Sequence, residues 1–526
     1  MTDGLTPVEV STSVGRHGSE SYFVLGEGLL AESAGGRDRA LVGSAAAAVP
    51  PFRFTRLAPR GKQHSTAALR ELANAMTSGA GRVSRVPAGF TYLGQFVDHD
   101  LTFDKTNVML GERVTPAQLV QARSPSLDLD SLYGAGPQDP VSARFYSDDV
   151  HLKMGRTDRI GEDRAREGFD LPRGMGTRAA ARRRAVIPDP RNDENLAVAQ
   201  THLGFIRFHN RVVDSLPSSV PQAQRFARAR ELVVKHYQWM LRHDYLPRVC
   251  ARSVVADVFR NGRKVFEVGA SPMDVPTMPI EFSVAAFRLG HSMVRADYSW
   301  NRRFDLGSGT LDLLFEFSAG SGTLGGGRRL PSNWIADFRR LYDFREAGRD
   351  NLAVPAARFN RAMRIDTKLA RPLRVIPGFP AAEDDLAFRN LVRARMLRLA
   401  TGQQLARLLR GKGVAVARLT RAELRNGRNG AELDGLTRLQ RDALLDDTPL
   451  WFYILREGEL GGGKLGGVGA RLVAETFHRA MEGSEFSIVR DPGWRPTLGP
   501  DNRTFRMVDL LLFAFEGKKS LLAPLG

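Results

Sequence analysis

The sequence is poor in cysteine, and Cys250 is the only one among its 526 residues. A single cysteine excludes an internal disulfide, a Cys-x-x-Cys motif and any metal site built from several thiolates. The shortage also favours a reducing compartment, where stable disulfides are rare.

Long apolar runs are missing as well, since none approaches the roughly 18 residues that a transmembrane helix needs. Residues 1–10 lack the basic and apolar segments of a secretory signal. We therefore expect no membrane span and no cleaved signal. The protein is expected to be cytoplasmic, or to be secreted by a non-classical route.

Acidic residues are scarce relative to basic ones: 58 Asp and Glu face 76 Lys and Arg, for a net charge of +18. Such a balance is compatible with nucleic-acid binding. The arginines are spread along the chain and are not gathered in a stripe with aromatic residues, which argues against that partner. The densest basic run, Arg178–Arg184, lies in the Gly-rich segment 151–186. That segment is either a solvated loop or a rim that guides anionic substrates, and its role stays open.

Helical periodicity is what the chain has in abundance. Apolar residues recur with helical spacing in segments at 66–77, from about 196, and at 222–245, 331–345, 384–399 and 467–482. Asp189 or Asp193 is the expected cap of the helix that begins near 196. Alternating patterns are few, which predicts a mainly α-helical fold with little β-sheet. Residues 1–60, rich in Gly, Ser and Ala, are expected to form an extended N-terminal arm.

A histidine between two aspartates lies in an apolar stretch at 91–104. His99 is flanked by Asp98 and Asp100, and Gln95 lies four residues upstream, about one helical turn away. Charged groups in an apolar run are costly to bury unless they are paired, bound to metal or used in chemistry. The stretch is therefore a candidate functional site.

Oxygen-bearing side chains alternate with other residues in the segment 121–140. Ser124, Asp128 and Asp130 have the spacing that directs side chains to one side of an extended loop. Hard cations such as Ca²⁺ are bound by six to eight oxygen ligands of this kind. A solvated turn explains the same pattern, so the residues alone leave the two interpretations open.

Three further histidines lie in helical patterns. His291 follows Gly290, which lets a bulky group approach the backbone. Together with His99 and Arg191 it would provide the base, the cation and the axial imidazole that peroxide cleavage needs. Zinc-type and structural roles for these histidines compete with this hypothesis. His202 and His209 are interpreted as satisfied core or interface histidines.

Four motifs appear in a characteristic order: Gly94-Gln-Phe-Val-Asp-His-Asp100, Arg191-Asn-Asp-Glu194, His209-Asn-Arg211 and Phe287-Arg-Leu-Gly-His291. In this order the sequence resembles the animal-type haem peroxidases of the peroxidase–cyclooxygenase superfamily, which includes myeloperoxidase, lactoperoxidase and bacterial relatives. The resemblance spans roughly residues 85–515. It implies one large helical catalytic domain, here 61–526, although length alone would suggest two or three domains.

The resemblance also implies roles for individual residues. His99 resembles the distal acid–base residue, with Arg191 as its cationic partner and Gln95 ordering water and halide. His291 resembles the proximal iron ligand of haem b. The remaining residues implied at the haem are an orienting asparagine, two propionate partners and two carboxylates at the ester-forming positions: Asn390, Arg288, Arg393, Asp98 and Glu194. A calcium site is implied at Asp100, Ser124, Ser126 (through its carbonyl), Asp128 and Asp130.

One departure from the family bears on the substrate. Asn195 stands where myeloperoxidase has a methionine bound to a haem vinyl group, so a sulfonium link cannot form. We expect H₂O₂ as oxidant and bromide, iodide, thiocyanate or small aromatic donors in preference to chloride.

Two alternatives stay open. A fatty-acid dioxygenase of the same superfamily requires a tyrosine just before the proximal histidine, where this chain has Arg288, Leu289 and Gly290. A non-enzymatic Arg-rich protein that binds haem or nucleic acid is the second. The sequence does not indicate the oligomeric state, the physiological donor or whether haem esters form.

Overall fold

The computed structural model describes residues 52–79, 81–106, 108–376, 379–381 and 383–526. Most of the expected arm, residues 1–51, lies outside this range, and its division from the domain at 61–526 stays a prediction. Within the described range none of the helices combines the length and apolar character needed to cross a membrane.

The helices of the described residues dominate the fold, which confirms the predicted mainly α class. In chain order they are α1 Thr66–Thr77, α2 Gly89–Leu101, α3 Asp130–Tyr133, α4 Ala179–Arg183, α5 Leu196–Ser215, α6 Gln222–Met240, α7 Leu246–Val249, α8 Arg252–Asn261, α9 Ile280–Ser283, α10 Gly290–Met293, α11 Leu311–Glu316, α12 Leu386–Met396, α13 Gly402–Gly411, α14 Arg421–Asn426, α15 Arg438–Asp446, α16 Leu450–Leu460, α17 Gly467–Glu482, α18 Met507–Ala514 and α19 Lys519–Leu522.

The strands are short and pair only two at a time in the described part of the chain. They are β1 Phe54–Thr55, β2 Val83–Pro87, β3 Gly155–Arg156, β4 Glu167–Asp170, β5 Met278–Pro279, β6 Asp297–Tyr298, β7 Gly309–Thr310 and β8 Arg361–Met363. β1 pairs with β5 in parallel, while β2–β8, β3–β4 and β6–β7 are antiparallel.

One continuous apolar core joins the long helices. α5 packs against α2, α6 and α18, while α1 packs against α12 and α17 against α8. The predicted helix at 222–245 continues beyond α6 as a π-helical turn over Leu241–Tyr245. α2 lies in the centre of this arrangement, and each of its thirteen residues is buried.

The prediction of one helix at 331–345 is wrong. The chain there forms separate 3₁₀ turns at Ser332–Trp334, Phe338–Arg340 and Phe344–Ala347. Asp337 and Asp343 each accept a hydrogen bond from the backbone N–H two residues ahead, so each begins a new turn. Such side-chain bonds compete with helix propagation, and the apolar spacing alone does not reveal them.

Candidate active site

His99 is held by a hydrogen bond on one side of its ring. Its Nδ1 lies 2.9 Å from Oδ1 of Asn192 in the 3₁₀ turn Pro190–Asp193, and both side chains are fully buried. Because an amide oxygen only accepts, Nδ1 carries the proton and Nε2 keeps its lone pair. Nε2 lies 3.4 Å from Oε1 of Glu194 but has no hydrogen-bond partner among the described residues. Burial, reinforced by Arg191, lowers the pKa of His99 to about 3, so the ring is a neutral base.

Arg191 is anchored on one edge of its guanidinium and open on the other. Nε and Nη2 donate to the two oxygens of Asp189, at 3.0 and 2.8 Å. Nη2 also donates to the backbone oxygens of His99 and Thr102, at 3.0 and 2.6 Å, and the guanidinium lies 4.1 Å from the centre of the Phe103 ring. In the described part of the chain, buried Nη1 has no partner. This fixed cation can stabilise negative charge that develops beside His99.

A short chain of hydrogen bonds positions Glu194. Gln95 Nε2 donates to Glu194 Oε1 at 2.5 Å, and Asn195 Nδ2 donates to Gln95 Oε1 at 2.9 Å. Burial raises the pKa of Glu194 well above its ordinary value. Its other oxygen, Oε2, is buried with no hydrogen-bond donor among the described residues.

The same asparagine corrects the predicted cap of α5. Asn195 Oδ1 accepts from the backbone N–H of Val198 at 2.9 Å, so Asn195 is the N-cap, not Asp189 or Asp193. Asp189 instead caps the preceding 3₁₀ turn. Burial raises the pKa of Asp189, yet Arg191 and Arg123 together hold it well below its usual range, so this carboxylate stays ionised as a counter-ion.

His291 lies in α10 with its ring against two neighbouring elements. Its Nδ1 is 2.6 Å from the side-chain amide of Asn390 in α12, and its ring meets the edge of Trp451, with centroids 6.1 Å apart. Arg288 Nη1 donates to Asn390 Oδ1 at 3.5 Å. In this arrangement the Asn390 amide nitrogen donates to Nδ1, so metal binding through Nε2 requires the amide to turn and accept from Nδ1–H.

Asp98 connects the two histidine regions electrostatically. Burial raises its pKa to about 7, and the largest opposing influences are Arg288, beside His291, and then Arg191, beside His99. Thr102 Oγ1 donates to Asp98 Oδ1 at 3.3 Å. The helix α2, which carries Asp98 and His99, packs against α10, which carries His291.

Arg393 has a partner that the sequence did not suggest. Its Nη2 forms an ion pair with Asp104 Oδ2, and both side chains are buried. A propionate at Arg393 would therefore share that guanidinium with a carboxylate of the chain.

Two of the acidic residues expected at calcium, Asp100 and Asp128, are buried, and Asp130 is half-buried. Asp100 accepts from the backbone N–H of Leu129 and from the N–H and hydroxyl of Ser131, at 3.2 to 3.3 Å. Burial and the neighbouring Asp130 raise the pKa of Asp100 to about 7. Across the described residues no three His, Cys, Asp or Glu side chains have the geometry of a metal site.

The other expected calcium ligands are engaged in different ways. Asp128 Oδ1 accepts from the N–H of Glu485 at 2.9 Å, and Ser126 Oγ donates to the Gly483 carbonyl at 3.3 Å. Ser124 is half-buried. These contacts tie the 121–140 segment to the end of α17.

His202 and His209 do not behave alike. His209 is satisfied as expected, with Nδ1 at 3.0 Å from the Tyr133 hydroxyl and Nε2 at 2.8 Å from the Val150 carbonyl. His202 is equally buried and packs edge-on against Phe96, but neither of its ring nitrogens has a hydrogen-bond partner within the described range. The prediction of a satisfied histidine is therefore wrong for His202.

The sequence analysis did not predict the contacts that three residues make at the site: Asn192, Asp189 and Asp104. Asn192 and Asp189 flank Arg191, so their proximity to a candidate catalytic residue was a usable signal. Asp104 gave no such signal, because its partner Arg393 is 289 residues away.

The animal haem peroxidase family model matches residues 106–313 of this chain. Over these residues the chain is similar to the animal haem peroxidase domain. Heme peroxidase 2 of Caenorhabditis elegans is 24% identical over 374 residues, which cover 68% of this chain and 47% of that protein. The chain thus spans about half the length of this curated relative.

Two solved structures share the fold. Peroxidase A from Dictyostelium discoideum superposes with a TM-score of 0.55 at 16% identity, over 90% of this chain and 94% of that one. A fatty acid alpha-dioxygenase of Arabidopsis thaliana gives 0.54 at 13% identity, over 90% and 76%. At these identities the likeness concerns the fold alone.

Proposed function

We propose that the protein is a haem peroxidase that reduces H₂O₂ and oxidises a halide, thiocyanate or a small aromatic donor. The observation that carries this proposal is the unpartnered Nε2 of buried His99, with Arg191 Nη1 and Glu194 Oε2 also lacking partners among the described residues. Buried polar atoms without partners are costly and rare. These three neighbouring atoms fit a site in which bound ligands provide the missing hydrogen-bond partners.

The residues present fit a haem, as the family implies. His291 would hold the iron, with Asn390 orienting its ring, and Arg288 and Arg393 would pair with the carboxylates of the haem. Asp98 and Glu194 would lie at the positions from which ester bonds form. When bound, haem supplies the iron that takes two oxidising equivalents from peroxide and passes them to a donor.

The chain's own residues move the proton and hold the charge. His99 Nε2 takes a proton from one peroxide oxygen and returns it to the other, which leaves as water. Arg191 Nη1 stabilises the negative charge on the departing oxygen. Gln95 and Asn195 keep Glu194 in place beside Nε2. With an aromatic donor AH the balance is H₂O₂ + 2 AH → 2 H₂O + 2 A•, and with a halide it is H₂O₂ + X⁻ + H⁺ → HOX + H₂O.

A Ca²⁺ ion bound by Asp100, Ser124, Ser126, Asp128 and Asp130 is the second part of the proposal. Buried carboxylates that raise one another's pKa are stabilised by a cation. The proposal is supported by the burial of Asp100 and Asp128 and by the influence of half-buried Asp130 on the pKa of both.

The test begins with haem loading. Purified protein reconstituted with haem b should show a Soret band and peroxide-dependent guaiacol oxidation, and His291→Ala should lose the band. Bromination of monochlorodimedone should exceed chlorination at neutral pH, because Asn195 cannot form a sulfonium link. Equal chlorination would refute the halide preference, and no haem absorbance after reconstitution would refute the peroxidase.

Two further measurements refine the proposal. Mass analysis of peptides containing Asp98 and Glu194, after acid–acetone extraction, reports haem esters directly. Oxygen uptake with a fatty acid in place of peroxide and donor would favour the dioxygenase alternative, against which the absence of tyrosine at 288–290 argues.

A further inference from the structure

A cleft of about 720 Å³ opens at the surface between the β3–β4 hairpin and the loop after α11. We name it the arginine cleft, and it is lined by residues 154–156, 158, 167, 171–176, 182, 328 and 329. Its volume is that of a small-molecule site, since such pockets measure roughly 300 to 1,000 Å³. It belongs to the basic segment 151–186, whose role the sequence left open.

Positive charge dominates its walls. Five arginines line the cleft, against two carboxylates, Asp158 and Glu167. Arg156, Arg328 and Arg329 are exposed at the walls, whereas Arg182 is half-buried. Asp158 approaches Arg329 only to 3.8 Å, so it leaves most of that guanidinium available. Planar guanidiniums bind carboxylates through paired hydrogen bonds.

Apolar groups share the lining. Leu171 and Pro172 are buried at the base, and Met154 and Met175 face solvent, with Met175 95% exposed. Methionine side chains adapt to flat or irregular apolar bodies and favour aromatic rings. The cleft therefore offers both an anion site and an apolar contact.

The floor of the cleft reaches the distal loop through one side chain. Buried Arg173 donates to both oxygens of Asp170, at 3.1 and 2.6 Å, and forms an ion pair with Asp193. Asp193 stands between Asn192, which holds His99, and Glu194, which lies beside His99 Nε2. A ligand in the cleft is thus one ion pair away from the loop that positions the distal residues.

We propose that the arginine cleft binds a small organic anion with an apolar body, the chemistry of an aromatic carboxylate. Occupation of the cleft by a phenolic acid would place the peroxidase's aromatic donor beside the distal loop, and this second statement rests on the proposed function. The binding itself does not depend on it. The cleft has three exposed arginines, Arg156, Arg328 and Arg329, which suits a compact anion better than an extended polyanion.

The test compares three probes by ligand-observed NMR titration. 4-Hydroxyphenylacetate carries both the ring and the carboxylate, 4-methylphenol carries the ring alone, and inorganic phosphate carries charge alone. The first should bind roughly tenfold more tightly than either of the others, and more weakly at 0.5 M than at 0.05 M salt.

The variant Arg328→Glu/Arg329→Glu should weaken the binding of 4-hydroxyphenylacetate roughly tenfold or more, because two attractive charges become repulsive. Arg410→Glu/Arg438→Glu makes the same change in net charge on exposed positions outside the cleft and should stay within twofold. The proposal would be overturned if both double variants lost the same affinity for 4-hydroxyphenylacetate, or if Arg328→Glu/Arg329→Glu lost none. Tight binding of 4-methylphenol or of phosphate would overturn the stated ligand class.

Steady-state oxidation provides the second readout. In the cleft variant the KM for 4-hydroxyphenylacetate should rise by a similar factor, while that for iodide, which needs no apolar contact, should not change. If the probe binds but no peroxidase activity exists, the proposed function fails and the cleft site stands. If activity is normal but the KM is unaffected, the donor role of the cleft fails.

Discussion

Asn192 offers the sharpest test of how the distal histidine is set. Its Oδ1 accepts a hydrogen bond from His99 Nδ1–H at 2.9 Å, and both side chains are fully buried. The bond fixes the tautomer in which Nε2 can accept a proton from peroxide. Asn192 touches neither peroxide nor haem in this proposal, so it is a positioning residue.

The variant Asn192→Ala removes the acceptor and leaves a buried N–H without a partner. A neutral hydrogen bond contributes about 0.5 to 1.5 kcal/mol and an orphaned buried donor costs about 1 to 3 kcal/mol. If roughly 1 to 3 kcal/mol of this falls on the transition state, the second-order rate constant with peroxide decreases about 5- to 150-fold.

The assay is stopped-flow mixing of haem-loaded protein with H₂O₂, read at the Soret band. A matched control is Asn210→Ala, since Asn210 is also buried and exchanges two hydrogen bonds of 2.8 Å with the backbone of Leu152. Both variants should lower the unfolding temperature, but only Asn192→Ala should slow the reaction with peroxide. A rate within twofold of the parent for Asn192→Ala, at equal haem occupancy, would refute this role.

Three further predictions follow from buried charge. Arg191→Lys keeps the charge but loses the paired hydrogen bonds to Asp189. We therefore expect a roughly tenfold slower reaction with peroxide at unchanged haem affinity. An unaltered rate would show that a guanidinium held by Asp189 is not required. Removing calcium with EDTA should lower the unfolding temperature of the parent by several degrees but not that of Asp128→Asn, and identical responses would argue against the site. Burial raises the pKa of Glu457 to about 7, so its carboxyl costs stability as pH rises from about 4.5 to 7. Urea unfolding at pH 5 and 7.5 gives the decrease in the free energy of unfolding over that interval. This decrease should be smaller in Glu457→Gln than in the parent by on the order of 1 to 3 kcal/mol. Equal decreases in the two proteins would exclude Glu457 as the cause.

The fold could be predicted well where helices bury one continuous stripe. α1 and α17 have the bounds 66–77 and 467–482 that are expected from apolar spacing. The failure at 331–345 has a definite cause, because Asp337 and Asp343 bond to nearby N–H groups and restart the chain in 3₁₀ turns. Apolar periodicity records which residues are buried, but not whether the backbone between them is continuous.

At the site, too, the motifs predict which residues take part, but not how the fold orients them. The motifs shared with the animal-type haem peroxidases singled out His99, Arg191 and His291. The partners Asn192 and Asp189 lie within three residues of Arg191, but nothing in the residue types says which ring nitrogen or which edge of the guanidinium they occupy. That choice decides the chemistry, since a bond at Nδ1 leaves Nε2 basic, and Asp189 on one edge of Arg191 leaves Nη1 for a ligand. Motif and spacing therefore identify the participants, whereas the orientation that makes them reactive depends on contacts that only the folded chain provides.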